Sequence, residues 1–251
     1  MDRTEAEKAL YCAMSIGEEL LCYGAEVGRV EDTIRRICRA YGATRVDVFS
    51  ITASIITTMY VGEEESYTQT RRVFFKCNDM TRLDALNRLS RRICSEGMTT
   101  DEVTQELKAI EGSKRYSFAV QLITYALVSG SFSVFFGGDL PDMLASAAIG
   151  ILLKLFESLV RRSTTNSLIT VLLCATAGGL LSHIAVLLHL GTHADLISIG
   201  NVMLLIPGSV FTNSLRDLFS GDTITGLVRF MESLLMAATI ALGFAIAATI
   251  L

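Results

Sequence analysis

Apolar residues recur at helical spacing from Thr4 to Leu21, where Ala6, Ala9, Leu10, Ala13, Met14, Ile16, Leu20 and Leu21 share a face and acidic residues fill the intervals. That period predicts an amphipathic helix packed on a core. Gly24 interrupts it, and a second helix follows with Val27, Val30, Ile34, Ile37 and Cys38 on one side, ending at Tyr41 and Gly42. The pattern then changes. VDVFSITASIITTMYVG is rich in β-branched residues and TQTRRVFFKC alternates, which predicts two or three strands between Arg45 and Lys76, with Glu63 to Glu65 as a solvated turn. Helical spacing returns at Met80, Leu83, Leu86, Leu89 and Ile93, closed by Gly97. Thr99 to Glu102 has the form of a capping box opening a short helix to Ile110. The order ααβ(β)βαα describes an α+β domain over residues 1–115, enough chain for one modest core.

At Gly112 the pattern turns apolar on all sides. A bilayer core of about 30 Å takes about 20 apolar residues per helix. Five segments meet that length: Ser117 to Phe136, Leu140 to Val160, Ser167 to Leu190, Leu196 to Leu218 and Ile224 to Leu251. The expected fold is therefore an α+β cytoplasmic domain followed by an all-α membrane domain of five transmembrane helices, residues 116–251. The fourth segment carries Pro207 and Gly208 at its middle. A proline there removes a backbone donor and leaves the Met203 carbonyl without its usual partner, in a place from which water is excluded. Such breaks are where transporters hold polar ligands, although a kink relieved by a neighbouring helix is the plainer outcome.

Charge sharpens the division. Of the 48 charged residues, 36 lie in Met1 to Tyr116 and 12 in the remainder, so the two halves suit different solvents. The net charge of −4 offers no nucleic-acid surface. The N-terminus lacks the uninterrupted apolar core of a cleaved signal, which keeps the first domain in the cytosol. The six cysteines form no zinc or C-x-x-C spacing and read as buried thiols in a reducing compartment. Lys114 and Arg115 precede the first span, Arg161 and Arg162 follow the second, and Arg216 and Arg229 flank the last connection. The GGDLPD and LGTHAD connections have no Lys or Arg. Positive-inside asymmetry then gives an N-in, C-out protein of the inner or plasma membrane.

Polar residues in this setting are the candidates for chemistry. The substrate or ion pathway is expected at Asn201, Pro207, Gly208, Ser209, Thr212, Asn213, Asp217, Arg229 and Glu232. Asp217 reads as a proton or substrate-amine site, or as a helix end packing on Arg216 or Arg229. Lys154 with Glu157, and Arg229 with Glu232, have the spacing of helix-face ion pairs, and of a gate for a small zwitterion. His183 suits one hydrogen bond to a neighbouring carbonyl; His189 and His193 lie near the outer surface without metal spacing. In the first domain Glu26, Arg29 and Glu31 open a helix, as a charge network reaching Ser50, Thr52 and Ser54 or as ordinary acid at a helix N-terminus. No phosphate loop, nucleophile elbow, dinucleotide fingerprint or metal motif is present, so neither an enzyme nor a cofactor is expected.

The run GAEVGRVEDTIRRICRAYGA, the strands VDVFSITASIITTMYV and RRVFF, and IPGSVFTNSLRDLFSGDTITGLVRFMESLLMAATIALG together resemble the threonine/serine exporter family. The resemblance covers nearly all 251 residues. It implies a cytoplasmic domain joined to a membrane region, and proton-driven efflux of small hydroxy amino acids. The matching positions are Gly24, Ala25, Glu26, Arg29 and Glu31 in the first motif. In the second they are Pro207, Gly208, Asp217, Gly221, Asp222, Gly226 and Arg229. Full-length members carry about ten spans, so a five-span chain resembles the split form, whose partner is a second small membrane protein. Split members are also linked to dicarboxylate export, particularly of succinate. A homo-oligomer, or a membrane-anchored sensor or scaffold, is the other arrangement left open.

Overall fold

The computed structural model describes residues 2–62, 65–74, 78–113, 116–164 and 166–250. The expected Glu63 turn, Lys76, Cys77, and the basic pair Lys114 and Arg115 lie outside the described residues. The chain divides into two compact units, Met1–Lys114 with Ser209–Phe230, and Arg115–Gly208 with Met231–Leu251.

In the first unit the predicted helices form for the predicted reasons. Helix α1, Arg3–Cys22, starts with a capping box from Asp2 and Glu5, and α2, Val27–Ala40, follows the break at Gly24. Gly24 holds φ +91°, a left-handed turn that a side chain resists. Strands β1 (Arg45–Ile51), β2 (Ser54–Val61) and β3 (Glu65–Arg72) form an antiparallel meander in the order β1-β2-β3. Ile51 pairs with Ser54 across the first hairpin, and Val61 with Glu65 across the second. Helix α3, Met80–Glu96, stops at left-handed Gly97, and α4, Thr100–Glu111, carries the reciprocal Thr99 and Glu102 box read from the sequence. Met14, Ile16, Leu20, Ile34, Ile37, Ile55, Met59, Leu86 and Ile93 make one fully buried core. Among the described residues the thiols of Cys12, Cys38 and Cys174 are buried, but Cys94 is exposed, which corrects its reading as a core residue. Burial pushes the Cys38 thiol up to about 12, so it packs as an apolar group and carries no thiolate.

In the second unit α5 (Phe118–Phe135), α6 (Leu140–Ser163) and α7 (Ser167–Leu187) are long and apolar enough to cross a membrane, as is α10, Thr223–Ile250, whose start belongs to the first unit. Four described helices meet that standard. The segment Leu196 to Leu218, expected as one further span, is two short helices, α8 (Ala194–Val202) and α9 (Gly208–Phe219). Nor does Pro207 orphan a carbonyl in mid-helix. Helix α8 has already ended, and the N–H groups of Leu204 and Leu205 turn back onto the carbonyls of Asn201 and Val202 at 3.2 and 2.9 Å. Pro207 thus precedes the first turn of α9, where a missing donor costs nothing.

Candidate functional site

Within the first unit, the two sequence motifs form one site. The loop between α1 and α2 presents backbone groups left over from the end of one helix and the start of the next. Helix α9 and the first turns of α10 present the matching side chains. Asn213 donates from Nδ2 to the Gly24 carbonyl at 3.2 Å, and Arg229 donates from Nη2 to the Ala25 carbonyl at 3.1 Å. Asp217 accepts the Val27 N–H, and its Oδ2 accepts from Arg229 Nη1 at 2.9 Å. Arg216 pairs with Glu26 at the rim. Asn78 donates to Ser209 Oγ at 2.9 Å and also bounds Gly24, where an added Cβ would lie 2.7 Å from Asn78 Oδ1.

The Asp217 and Arg229 side chains are 1% and 9% exposed, so this is a buried ion pair and not a snorkelling one. Buried charge is tolerable only when the remaining lone pairs and protons find partners, and the loop backbone supplies them. Of the pathway candidates, Asn213, Arg229 and Asp217 therefore converge on the loop backbone at Gly24, Ala25 and Val27. Thr212, Ser209 and Gly208 lie exposed, Pro207 is half-buried, and Glu232 sits on an exposed stretch of α10. Glu31 turns elsewhere: its Oε1 accepts the Ser50 N–H at 2.8 Å and the Ser50 hydroxyl at 3.2 Å, while Oε2 meets Arg35 at 3.4 Å. The network reading thus holds for Glu31 with Ser50, and Arg29 stands outside it, exposed on α2.

The second unit holds a polar cluster that the sequence reading missed apart from Asn201. Ser129 on α5, Ser146 on α6, Ser182 on α7 and Asn201 on α8 are all fully buried. Each lies five to seven residues from the helix end at the 136–139 or 188–193 connection, roughly 9 Å of helix rise. Ser129 Oγ has one proton and two groups in reach that only accept, Asn201 Oδ1 at 2.6 Å and the Ser146 carbonyl at 2.9 Å. Ser146 Oγ, 2.7 Å from Ser129 Oγ and 3.1 Å from the Ser129 carbonyl, is then the donor of that pair. Asn201 Nδ2 donates to the Ile197 carbonyl at 3.0 Å and reaches Ser182 Oγ at 3.5 Å. Ser133, one turn along α5, is equally buried, and its hydroxyl has no partner among the described residues.

Three further polar groups settle expectations from spacing. Glu157 gathers Lys154 at 3.0 Å, Arg161 at 2.8 Å and the Tyr125 hydroxyl at 2.8 Å, a helix-face pair enlarged by a neighbour. His183 Nδ1 lies 2.9 Å from the Gly179 carbonyl, the single bond expected of it. His193 is the surprise: its Nδ1 is 2.8 Å from Asp142 Oδ2, with Asp139 beside them, a trio whose ligand atoms lie within 4.8 Å of one another. Asp142 Oδ1 takes the N–H groups of Thr192 and His193 at 2.6 and 2.9 Å, and Oδ2 the Asp139 N–H at 3.3 Å. Both oxygens are engaged by the protein, so the trio works as a clasp between the starts of α6 and α8.

The Asp142 hydrogen bond raises the His193 imidazole above its ordinary value. A raised value in the folded state makes protonation stabilising: the contribution is complete below about pH 6.5 and is lost as pH rises through the folded value. Thermal unfolding of the wild type against His193→Gln is expected to show a gap in mild acid that closes on passing to alkaline pH. An equal gap throughout that range would show the imidazole acting through packing alone.

Residues 11–251 match the family described as "Putative threonine/serine exporter". A "Probable threonine/serine exporter" of Mycobacterium tuberculosis is 25% identical over 254 residues, covering 98% of this chain and 47% of that protein. The "Threonine/serine exporter" of Corynebacterium glutamicum is 25% identical over 250 residues, 96% of this chain and 51% of its own. The chain spans about half the length of these curated relatives. No solved structure matches it.

Proposed function

Because the chain belongs to the threonine/serine exporter family, we propose that it is one half of a membrane exporter of small hydroxy amino acids, working with a second membrane half. The observation that carries this reading is the broken apolar segment: α8 ends inside a layer of buried Ser and Asn side chains, and the chain resumes as α9 after residues 203–207. Polar groups in apolar helices are costly and are kept where a polar solute passes or binds. Half-helix ends supply the carbonyls and N–H groups that a zwitterion needs. The relatives are about twice the length of the stretch this chain matches, which is why the proposal includes a second membrane half.

Counting α8 and α9 as one broken crossing keeps the N-in, C-out arrangement. Arg161, Arg162, Arg216 and Arg229 then fall on the cytoplasmic side with the first unit. In this reading Asn201, Ser129, Ser146 and Ser182 belong to the pathway. Asp217 and Arg229 join α9 to the loop 24–27 within the first unit. The driving force we assign is the proton gradient, with no cofactor and no covalent chemistry.

The test is efflux from cells preloaded with labelled threonine, serine or succinate, expressing the chain alone or with a candidate membrane half. Loss of threonine or serine from cells with both chains, abolished by a protonophore, is the expected result. Efflux of succinate only would transfer the assignment to dicarboxylates. No efflux in any combination, with both proteins in the membrane, would overturn the transport reading.

A further inference from the structure

The first unit carries a basic cleft that none of the preceding contacts uses. Arg29, Asp32, Thr33 and Arg36 form one stripe of α2, spaced three, four and seven residues apart; Asn87, Ser90, Arg91 and Cys94 form the same stripe on α3, with Ser95 beside it. The two stripes face each other across about 390 Å³. Three arginines stand against one carboxylate there. Arg36 is engaged by Asp32 at 2.8 Å, which leaves the guanidinium groups of Arg29 and Arg91 with no ion-pair partner among the described residues. Ser90 and Ser95 direct their protons to the carbonyls of Asn87 and Arg92, so charge in the cleft is dominated by the two arginines.

We propose that this cleft binds a small oxyanion of the phosphate or carboxylate type, clamped between Arg29 and Arg91. Arginine forks suit such groups because two parallel N–H donors meet two oxygens at once. A dissolved anion and a lipid phosphate offer the same chemistry, and the size of the cleft fits a small ligand. Binding also has a mechanical consequence within the unit. Helix α2 begins at Val27, whose N–H is held by Asp217, so an anion clamped at Arg29 stiffens the helix end that carries this joint.

Cys94 provides the readout, since it is an exposed thiol lining the cleft. The full chain, purified into neutral phosphatidylcholine nanodiscs, is alkylated with N-ethylmaleimide at constant ionic strength, and modification of the Cys94 peptide is followed by mass spectrometry. Inorganic phosphate or malonate is expected to slow Cys94 alkylation several-fold and to raise the unfolding temperature. Arg29→Gln and Arg91→Gln each remove both effects, whereas Arg88→Gln, at a residue paired with Asp84 outside the cleft, retains them. Slowing by phosphatidylglycerol nanodiscs, without added anion, identifies the ligand as a lipid headgroup. An alkylation rate indifferent to phosphate, malonate and phosphatidylglycerol, or slowing that survives in both arginine variants, overturns the site. Neither result depends on whether the chain transports anything.

Discussion

Arg229→Leu is expected to cost about 3–5 kcal/mol of stability, because it strands the Asp217 carboxylate in a place where it is 1% exposed. Arg229→Lys is also expected to fail in part, since one ammonium cannot hold both the carboxylate and the Ala25 carbonyl in the forked geometry observed. The measurement is the unfolding midpoint of detergent-solubilised variants, with size-exclusion profiles to report folded yield. A charge swap, Asp217→Arg with Arg229→Asp, separates a joint from a simple pair. The swap keeps one positive and one negative group but turns an arginine toward the Val27 N–H and a carboxylate toward the Ala25 carbonyl. Donor then faces donor and acceptor faces acceptor, so no rescue is expected. Full rescue would show that only the attraction between the two charges matters, and the assignment of the loop backbone as their scaffold would be wrong.

That joint was only half legible in the sequence. Asp217 and Arg229 lie twelve residues apart, and helix-end packing against Arg229 was one of the readings their spacing allowed. Their other partners come from the far end of the chain: the Arg229 contact to Ala25 closes a separation of 204 residues and the Arg216 contact to Glu26 one of 190. Nothing in local periodicity encodes contacts of that range. The motif at Gly24 was visible because a glycine interrupts two strong helical patterns, yet its acceptors are backbone carbonyls, which carry no sequence signature at all. Helices α1 to α4 were legible for the opposite reason, since their burial pattern and caps are local properties.

The serine cluster escaped for a different physical reason. A serine or threonine in an apolar helix can bond back to its own turn, as Thr124 does to Val120 and Thr176 to Leu172. It can also bond across to another helix, as Ser129 does to Asn201. The residue type and its neighbours in sequence are similar in both cases. Only helix packing decides, and that packing depends on small residues at the contacts. Gly150 approaches Tyr125 and Ser129 of α5, and Gly200 approaches Ser129, Ser133 and Ser146. Proline at 207 announced that the apolar segment is irregular. It gave no sign that α8 ends ahead of it or that the polar layer lies on the α8 side.

The two glycines on either side of that break should therefore respond in opposite directions. A Cβ added at Gly200 would lie 2.5 Å from the Ser129 carbonyl oxygen, 2.5 Å from Ser146 Oγ and 3.1 Å from the Ser133 backbone nitrogen. Two of those three atoms are backbone, so α8 itself must move and take Asn201 out of reach of Ser129. Gly200→Ala is expected to cost about 1–3 kcal/mol through overpacking, with the lost interhelical hydrogen bonds adding about 0.6 kcal/mol each. At Gly208, where an added Cβ meets nothing within 4 Å, alanine is expected to be neutral or to stabilise by about 0.4–1 kcal/mol by narrowing the unfolded ensemble. Efflux measured beside the unfolding midpoint gives these variants their functional meaning. Loss of efflux in Gly200→Ala at normal membrane levels, with full efflux in Gly208→Ala, places the requirement on the packed polar layer. Loss of efflux in a Gly208→Ala protein that is as stable as the wild type would move it to the break itself, with the start of α9 acting as a hinge whose freedom transport uses.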